Sequence, residues 1–157
     1  MALILGSSAW EGKINCPITS NFECFSSVEY GIRAGMLNLI NAYFNEGYNT
    51  IDMIINKYAP PSENDTTGYI NYVSAFTGFD QDEQLTADNT TIKLLSRAII
   101  NQENGIIDGQ LISDEMIVNA YDLLPPDKKL FYSDPFFAGM SFWVVLILGS
   151  TLIFNNN

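Results

Sequence analysis

Residues 30–47, YGIRAGMLNLINAYFNEG, decide the fold class. Ile32, Met36, Leu37, Leu39, Ile40, Tyr43 and Phe44 recur at spacings close to the 3.6-residue period of an α-helix, and Gly47 supplies a left-handed stop. Working outward, Thr50 caps a second helix with Ile51, Ile54, Ile55 and Tyr58 on one face, and Pro60-Pro61 end it by Ala59. A third is predicted from Asn64 or Asp65 to Gly78, carrying Tyr69, Ile70, Val73 and Phe76. A polar connection, Phe79 to Thr91, leads to a fourth helix built on Ile92, Leu95 and Ile99 and closed by Asn104-Gly105. The last is capped by Ser113, has Asp114 and Glu115 in its first turn, and stops before Pro125-Pro126. Ahead of all of these, Trp10 to Ser27 lacks a helical period and reads as an irregular or short extended segment packed on the bundle. The fold class is mainly α, with no internal repeat.

The 157 residues carry 18 acidic side chains, seven basic ones and no histidine, for a net charge of −11. Without histidine, no Ser-His-Asp or Cys-His machinery and no imidazole zinc site can be assembled. The acidic surplus argues against nucleic acid as a partner, since that affinity comes largely from Lys and Arg displacing counterions. Gly31 and Gly35 fit neither a dinucleotide nor a phosphate-loop pattern. Asp80, Asp82 and Glu83 open like a calcium loop, but the central glycine and the closing glutamate are missing, so they read as solvated linker charge. No cofactor and no metal are expected.

Every Asp, Glu, Lys and Arg lies at or before Asp134. The segment from Phe136 to Phe154, FFAGMSFWVVLILGSTLIF, has 19 residues, about the ~20 a helix needs to cross a bilayer core. Eleven of them are Phe, Val, Leu or Ile, each favouring insertion by about 0.3–0.6 kcal/mol. The N-terminus offers no secretory signal. Residues 1–124 are thus expected to form a helical domain, 125–135 a linker and 136–154 a transmembrane helix, with Lys128 and Lys129 biasing the domain to the cytoplasmic side. In that compartment Cys16 and Cys24 are expected as two reduced thiols rather than a disulfide.

Carboxylates are what remains for chemistry. A glycosidase needs one of them protonated near neutral pH, in surroundings that penalise the anion. Glu29 stands at a helix start, where it suits a cap or an ion pair with Arg33. Glu63 and Asp65 most simply cap the third helix. Glu103, in the last turn before Asn104-Gly105, faces unpaired carbonyls that disfavour an anion, which makes it the candidate general acid.

The run Phe22-Glu23-Cys24-Phe25-Ser26-Ser27-Val28-Glu29-Tyr30-Gly31-Ile32-Arg33-Ala34, then Tyr48-Asn49-Thr50-Ile51, the block Ile54 to Thr66 with its Pro60-Pro61-Ser62-Glu63-Asn64 centre, Tyr69, Arg97 to Ile100 and Glu103-Asn104-Gly105 resemble a family of phage and prophage proteins. These are described as virion structural proteins or as lysozyme-like, lytic-transglycosylase-like peptidoglycan hydrolases. The likeness covers Trp10 to Gly105. Trp10-Glu11-Gly12 matches a family element, whereas the Asn-Pro-Gly-Asn-Ile-Arg stretch that commonly precedes it is missing here. The resemblance implies a compact lysozyme-like domain that cleaves the glycan between N-acetylmuramic acid and N-acetylglucosamine, with one glutamate as acid and then base. On that implication Glu103 is catalytic, and Tyr58, Tyr69 and Asn104 bind substrate.

With its apolar tail, the chain is then expected to be a membrane-anchored virion protein that opens the host wall when the virus enters. Its domain would lie between an internal viral membrane and the capsid, and on the cytoplasmic side of the host membrane before assembly. The partners implied are lipid membrane, capsid or vertex proteins and, for an active enzyme, peptidoglycan. The alternative is a non-enzymatic structural protein linking viral membrane to capsid or spike proteins.

Overall fold

Ser27 sits in an extended conformation and its hydroxyl accepts from the Tyr30 amide, so the first helix starts at the next residue, Val28. The computed structural model describes residues 9–16, 23–109 and 111–129; the apolar span 136–154 lies outside them. Five helices follow in order: α1 (Val28–Asn38), α2 (Ile51–Tyr58), α3 (Thr66–Thr77), α4 (Asn89–Gly109) and α5 (Asp114–Asp122). Two-residue strands β1 (Lys13–Ile14) and β2 (Cys24–Phe25) precede them and pair antiparallel, Lys13 opposite Phe25 and Ile14 opposite Cys24. The protein is therefore mainly helical, with a small extended clip where no helical period is present.

The helix edges follow local chemistry. Thr50 accepts from the Met53 amide, Asp65 from Gly68 and Ser113 from Met116, each holding one of the amides left over at a helix start. Gly47 (φ 84°) and Gly78 (φ 78°) take the left-handed conformation that ends a helix. Between Asn38 and Gly47 the chain departs from a plain α-helix: Leu39–Tyr43 forms a wider π turn and Phe44–Glu46 a tight 3-10 turn. Lys57 of α2 caps this region. It donates to the Ala42 carbonyl (2.7 Å) and lies 3.8 Å from the centre of the Tyr48 ring.

α1 packs on α4 and α5, α3 on α2 and α4, and α4 on α5. Between them lie Met36, Leu39, Ile51, Ile54, Ile55, Val73, Ile92, Leu95, Ile99 and Ile100, essentially inaccessible to water. Each comes from the apolar face of its helix, and one continuous core results. Leu85 joins it from the connection before α4, anchored by its amide on the Asn49 carbonyl (2.8 Å). None of the helices among the described residues is long and apolar enough to cross a membrane.

Two expectations are corrected. Cys16 and Cys24 are joined in a disulfide, not kept as thiols; Cys24 lies in β2 and Cys16 two residues beyond the end of β1, and with the two strands paired their Cα atoms are 5.4 Å apart, within bridging range. Arg33 does not pair with Glu29. Its guanidinium is buried, with Nη2 2.7 Å from Glu11 and Nε donating to the Leu123 carbonyl at 2.8 Å, while hydrogen bonds from its own backbone amide and from Ser27 hold the Glu29 carboxyl below its usual range. The expected stop at Asn104-Gly105 is met: Gly105 (φ 73°, ψ 157°) is non-helical and ends the run that starts at Asn89, and separate helical turns follow it to Gly109.

Candidate functional site

Tyr58 is the last residue of α2 and Tyr69 lies in the first turn of α3, so the short Ala59–Asp65 connection controls how they meet. Pro60 begins a turn whose carbonyl accepts from the amides of Glu63 and Asn64, and the Thr66 hydroxyl reaches back to the Ala59 carbonyl. Asp65 caps α3; Glu63 belongs to the preceding turn. The two tyrosine rings consequently meet edge to face, centroids 6.1 Å apart and planes at 84°.

α4 crosses α3 and delivers Glu103 to this pair. The Tyr69 hydroxyl donates to Glu103 Oε1 at 3.1 Å. Burial first, then the negative charge of Glu103 beside them, push the ionisation of both Tyr58 and Tyr69 well above the ordinary tyrosine range. Both are neutral phenols at any physiological pH. Tyr69 is buried and Tyr58 half-buried, whereas Glu103 is exposed. The cluster is thus an aromatic pair with a single solvent-facing carboxylate at its rim.

Three of the four sequence-predicted residues, Tyr58, Tyr69 and Glu103, are brought together. Asn104 is not among them: its side-chain amide donates to the Ile100 carbonyl (2.8 Å), folding back on its own helix just ahead of the Gly105 break. Asp80, Asp82 and Glu83 line a shallow depression with Ser74 and Gln81, and Glu83 accepts from the Asp80 amide (3.1 Å). Among the described residues no cluster of three or more acidic or cysteine side chains is arranged to hold a metal ion.

A second surface feature is lined by residues of α3, α4 and α5. Phe76, Leu94, Ile117 and Val118 line an open groove of about 310 Å³, with Lys93, Arg97 and Asp114 at its edge. Phe76 stacks on Tyr72, and Arg97 is bound to Asp114 (2.8 Å) and to the Ile112 carbonyl (2.6 Å).

Sequence reasoning missed the polar links that fasten the N-terminal clip. Lys13 pairs with the buried Glu23 at 2.8 Å, and Glu11 with Arg33. The local signal for them was weak. Glu11 and Arg33 lie 22 positions apart and Leu123 is 90 positions from Arg33, so no helical spacing announces either contact. Gly12 carries the one legible hint, a glycine where φ is 76° and where a Cβ would sit 2.2 Å from Tyr30 Cγ.

Comparison with known proteins bears on what this helical head belongs to. Over 100 residues the chain is 38% identical to Protein P5 of Pseudoalteromonas phage PM2. The chain has a phage relative. The match takes in 64% of this chain and 61% of that protein, so it covers less than two thirds of the relative's length. No protein-family model matches the chain.

Proposed function

We propose that this chain is a structural protein of a phage particle. Its helical head stands on the apolar segment 136–154 inserted in the viral membrane, and the head bridges that membrane to capsid or vertex proteins. The observation that carries the reading is the 38% identity to a phage protein over 100 residues. The uninterrupted, charge-free tail supports the membrane attachment. The Cys16–Cys24 disulfide fits a mature particle outside the cell, since cytosolic thiols are kept reduced.

The gathering of Tyr58, Tyr69 and Glu103 favours a second reading, a lysozyme-like domain that cuts peptidoglycan with Glu103 as acid and then base. It ranks second because Glu103 is exposed and accepts a hydrogen bond, whereas a glycosidic acid must offer its own proton from surroundings that penalise the anion. An acidic protein also gains no steering towards an acidic wall polymer.

Full-length protein incubated with purified peptidoglycan separates the two. Release of no glycan fragments supports the structural role. Release that Glu103→Gln abolishes, with the fold intact by circular dichroism, overturns it in favour of the hydrolase. Detergent extraction of purified particles tests the attachment: the chain is expected to leave the protein shell with the lipid, and retention on a delipidated shell contradicts it.

A further inference from the structure

The clip formed by β1 and β2 is small. Two-residue strands make a ladder too short to persist alone, so other contacts must hold residues 10–14 on the bundle. These are the Cys16–Cys24 disulfide, the Lys13–Glu23 pair, the Ser26 amide on the Gly12 carbonyl (2.8 Å), Trp10 packed on the core and Gly12 pressed against the Tyr30 ring. Beside Gly12, Glu11 reaches the buried guanidinium of Arg33 at Nη2, while Nε of the same group donates to the Leu123 carbonyl. Leu123 follows the last residue of α5, where carbonyls lack helical partners. The neighbouring carbonyl, Asp122, is taken by Lys129 (2.6 Å). Beyond Lys129 the chain runs on towards the apolar segment.

We infer that the Cys16–Cys24 disulfide is a redox-operated lock on the junction between the helical head and the C-terminal segment, acting through Glu11 and Arg33 on the end of α5. In the oxidised protein the β1 segment is tied through Cys16 to Cys24 of β2, Glu11 is held against Arg33, and Arg33 is aimed at Leu123. Reduction by a cellular or added dithiol breaks the S–S bond, leaves two cysteine thiols and converts the reductant to its disulfide, two electrons passing from reductant to protein. The clip then loses its covalent closure and is retained by the short ladder, the Lys13–Glu23 pair, the Ser26–Gly12 hydrogen bond and the packing of Trp10 and Gly12 alone. Glu11 leaves, Arg33 loses its anionic partner, and the last turn of α5 loosens. If the chain is a virion protein, as proposed above, the head–tail junction is pliable during assembly in a reducing cytoplasm and stiffens once the particle is released.

The test is amide hydrogen exchange on the full-length chain in detergent, oxidised and treated with dithiothreitol. The amides of Leu123 and Leu124, bonded to Asn119 and Tyr121, are expected to exchange at least about tenfold faster after reduction. Those within α2 and α3 are expected to change little, because these helices pack mainly on each other and on α4. Glu11→Gln in the oxidised protein is expected to reproduce the acceleration with the disulfide intact and to remove further dependence on reductant. Equal exchange at Leu123 and Leu124 in both redox states overturns the inference. So does Glu11→Gln exchanging like the unaltered oxidised protein, a result that remains decisive even if the reduced chain fails to stay folded. None of these readouts depends on the virion role.

Discussion

The helices α2 to α4 and the N-terminal clip are built on different principles. In the helices, short-range chemistry sets the limits and a shared apolar face sets the packing: Thr50, Asp65 and Gly78 mark edges, and Ile54, Ile55, Val73 and Ile99 meet in the core. In the clip almost nothing is local. It is held by a covalent bond, two ion pairs and one glycine against an aromatic ring. The contrast teaches that the head has one region stabilised by burial and another fastened by a few replaceable links, so the two should fail differently.

The largest separation is expected from Ile99→Ala, which leaves a methyl-lined void at a fully buried site and should destabilise by about 3–4 kcal/mol, read as a lower denaturant midpoint in either redox state. Replacing both Cys16 and Cys24 by Ser removes a loop closure across eight positions and should cost about 2.5 kcal/mol. Here the loss disappears when the unaltered protein is measured in reductant, a redox dependence that Ile99→Ala must not show. Thr50→Ala and Ser113→Ala each free one helix-start amide and should cost about 1 kcal/mol, measured by equilibrium unfolding, with the disulfide unaffected.

A pH series gives the smallest effect. Tyr58 and Tyr69 hold their protons more tightly in the folded protein than in the unfolded chain. Unfolded tyrosines ionise near pH ~10. The stabilisation is therefore complete below about pH 10 and falls as the pH rises further, because only the unfolded chain sheds those protons. Unfolding free energies between about pH 9 and 11 should show this decline, and Tyr69→Phe should make it shallower while Thr50→Ala leaves its slope unchanged.

The same contrast explains what could be read from the residues. Helix limits were legible because Thr50, Asp65, Ser113, Gly47 and Pro60 act on backbone groups within a few positions of themselves. The π turn at Leu39–Tyr43 was not, since an apolar pattern continues through it and only the bonding step changes. Compartment alone argues for thiols at Cys16 and Cys24, while the β1–β2 pairing that runs next to them leaves little trace in two-residue strands. At the candidate site, Tyr58, Tyr69 and Glu103 stand at helix ends that converge through the Ala59–Asp65 turn and the crossing of α4 over α3. Asn104 shows the limit of position alone: one step beyond Glu103 in sequence, its amide bonds back to Ile100.

The number of copies of this chain per purified phage particle, counted by quantitative mass spectrometry against the major capsid protein, tests the proposed role most directly. A structural bridge between membrane and shell predicts a fixed, repeated stoichiometry of many copies that falls in step with lipid on detergent extraction. Absence of the chain from washed particles would contradict it.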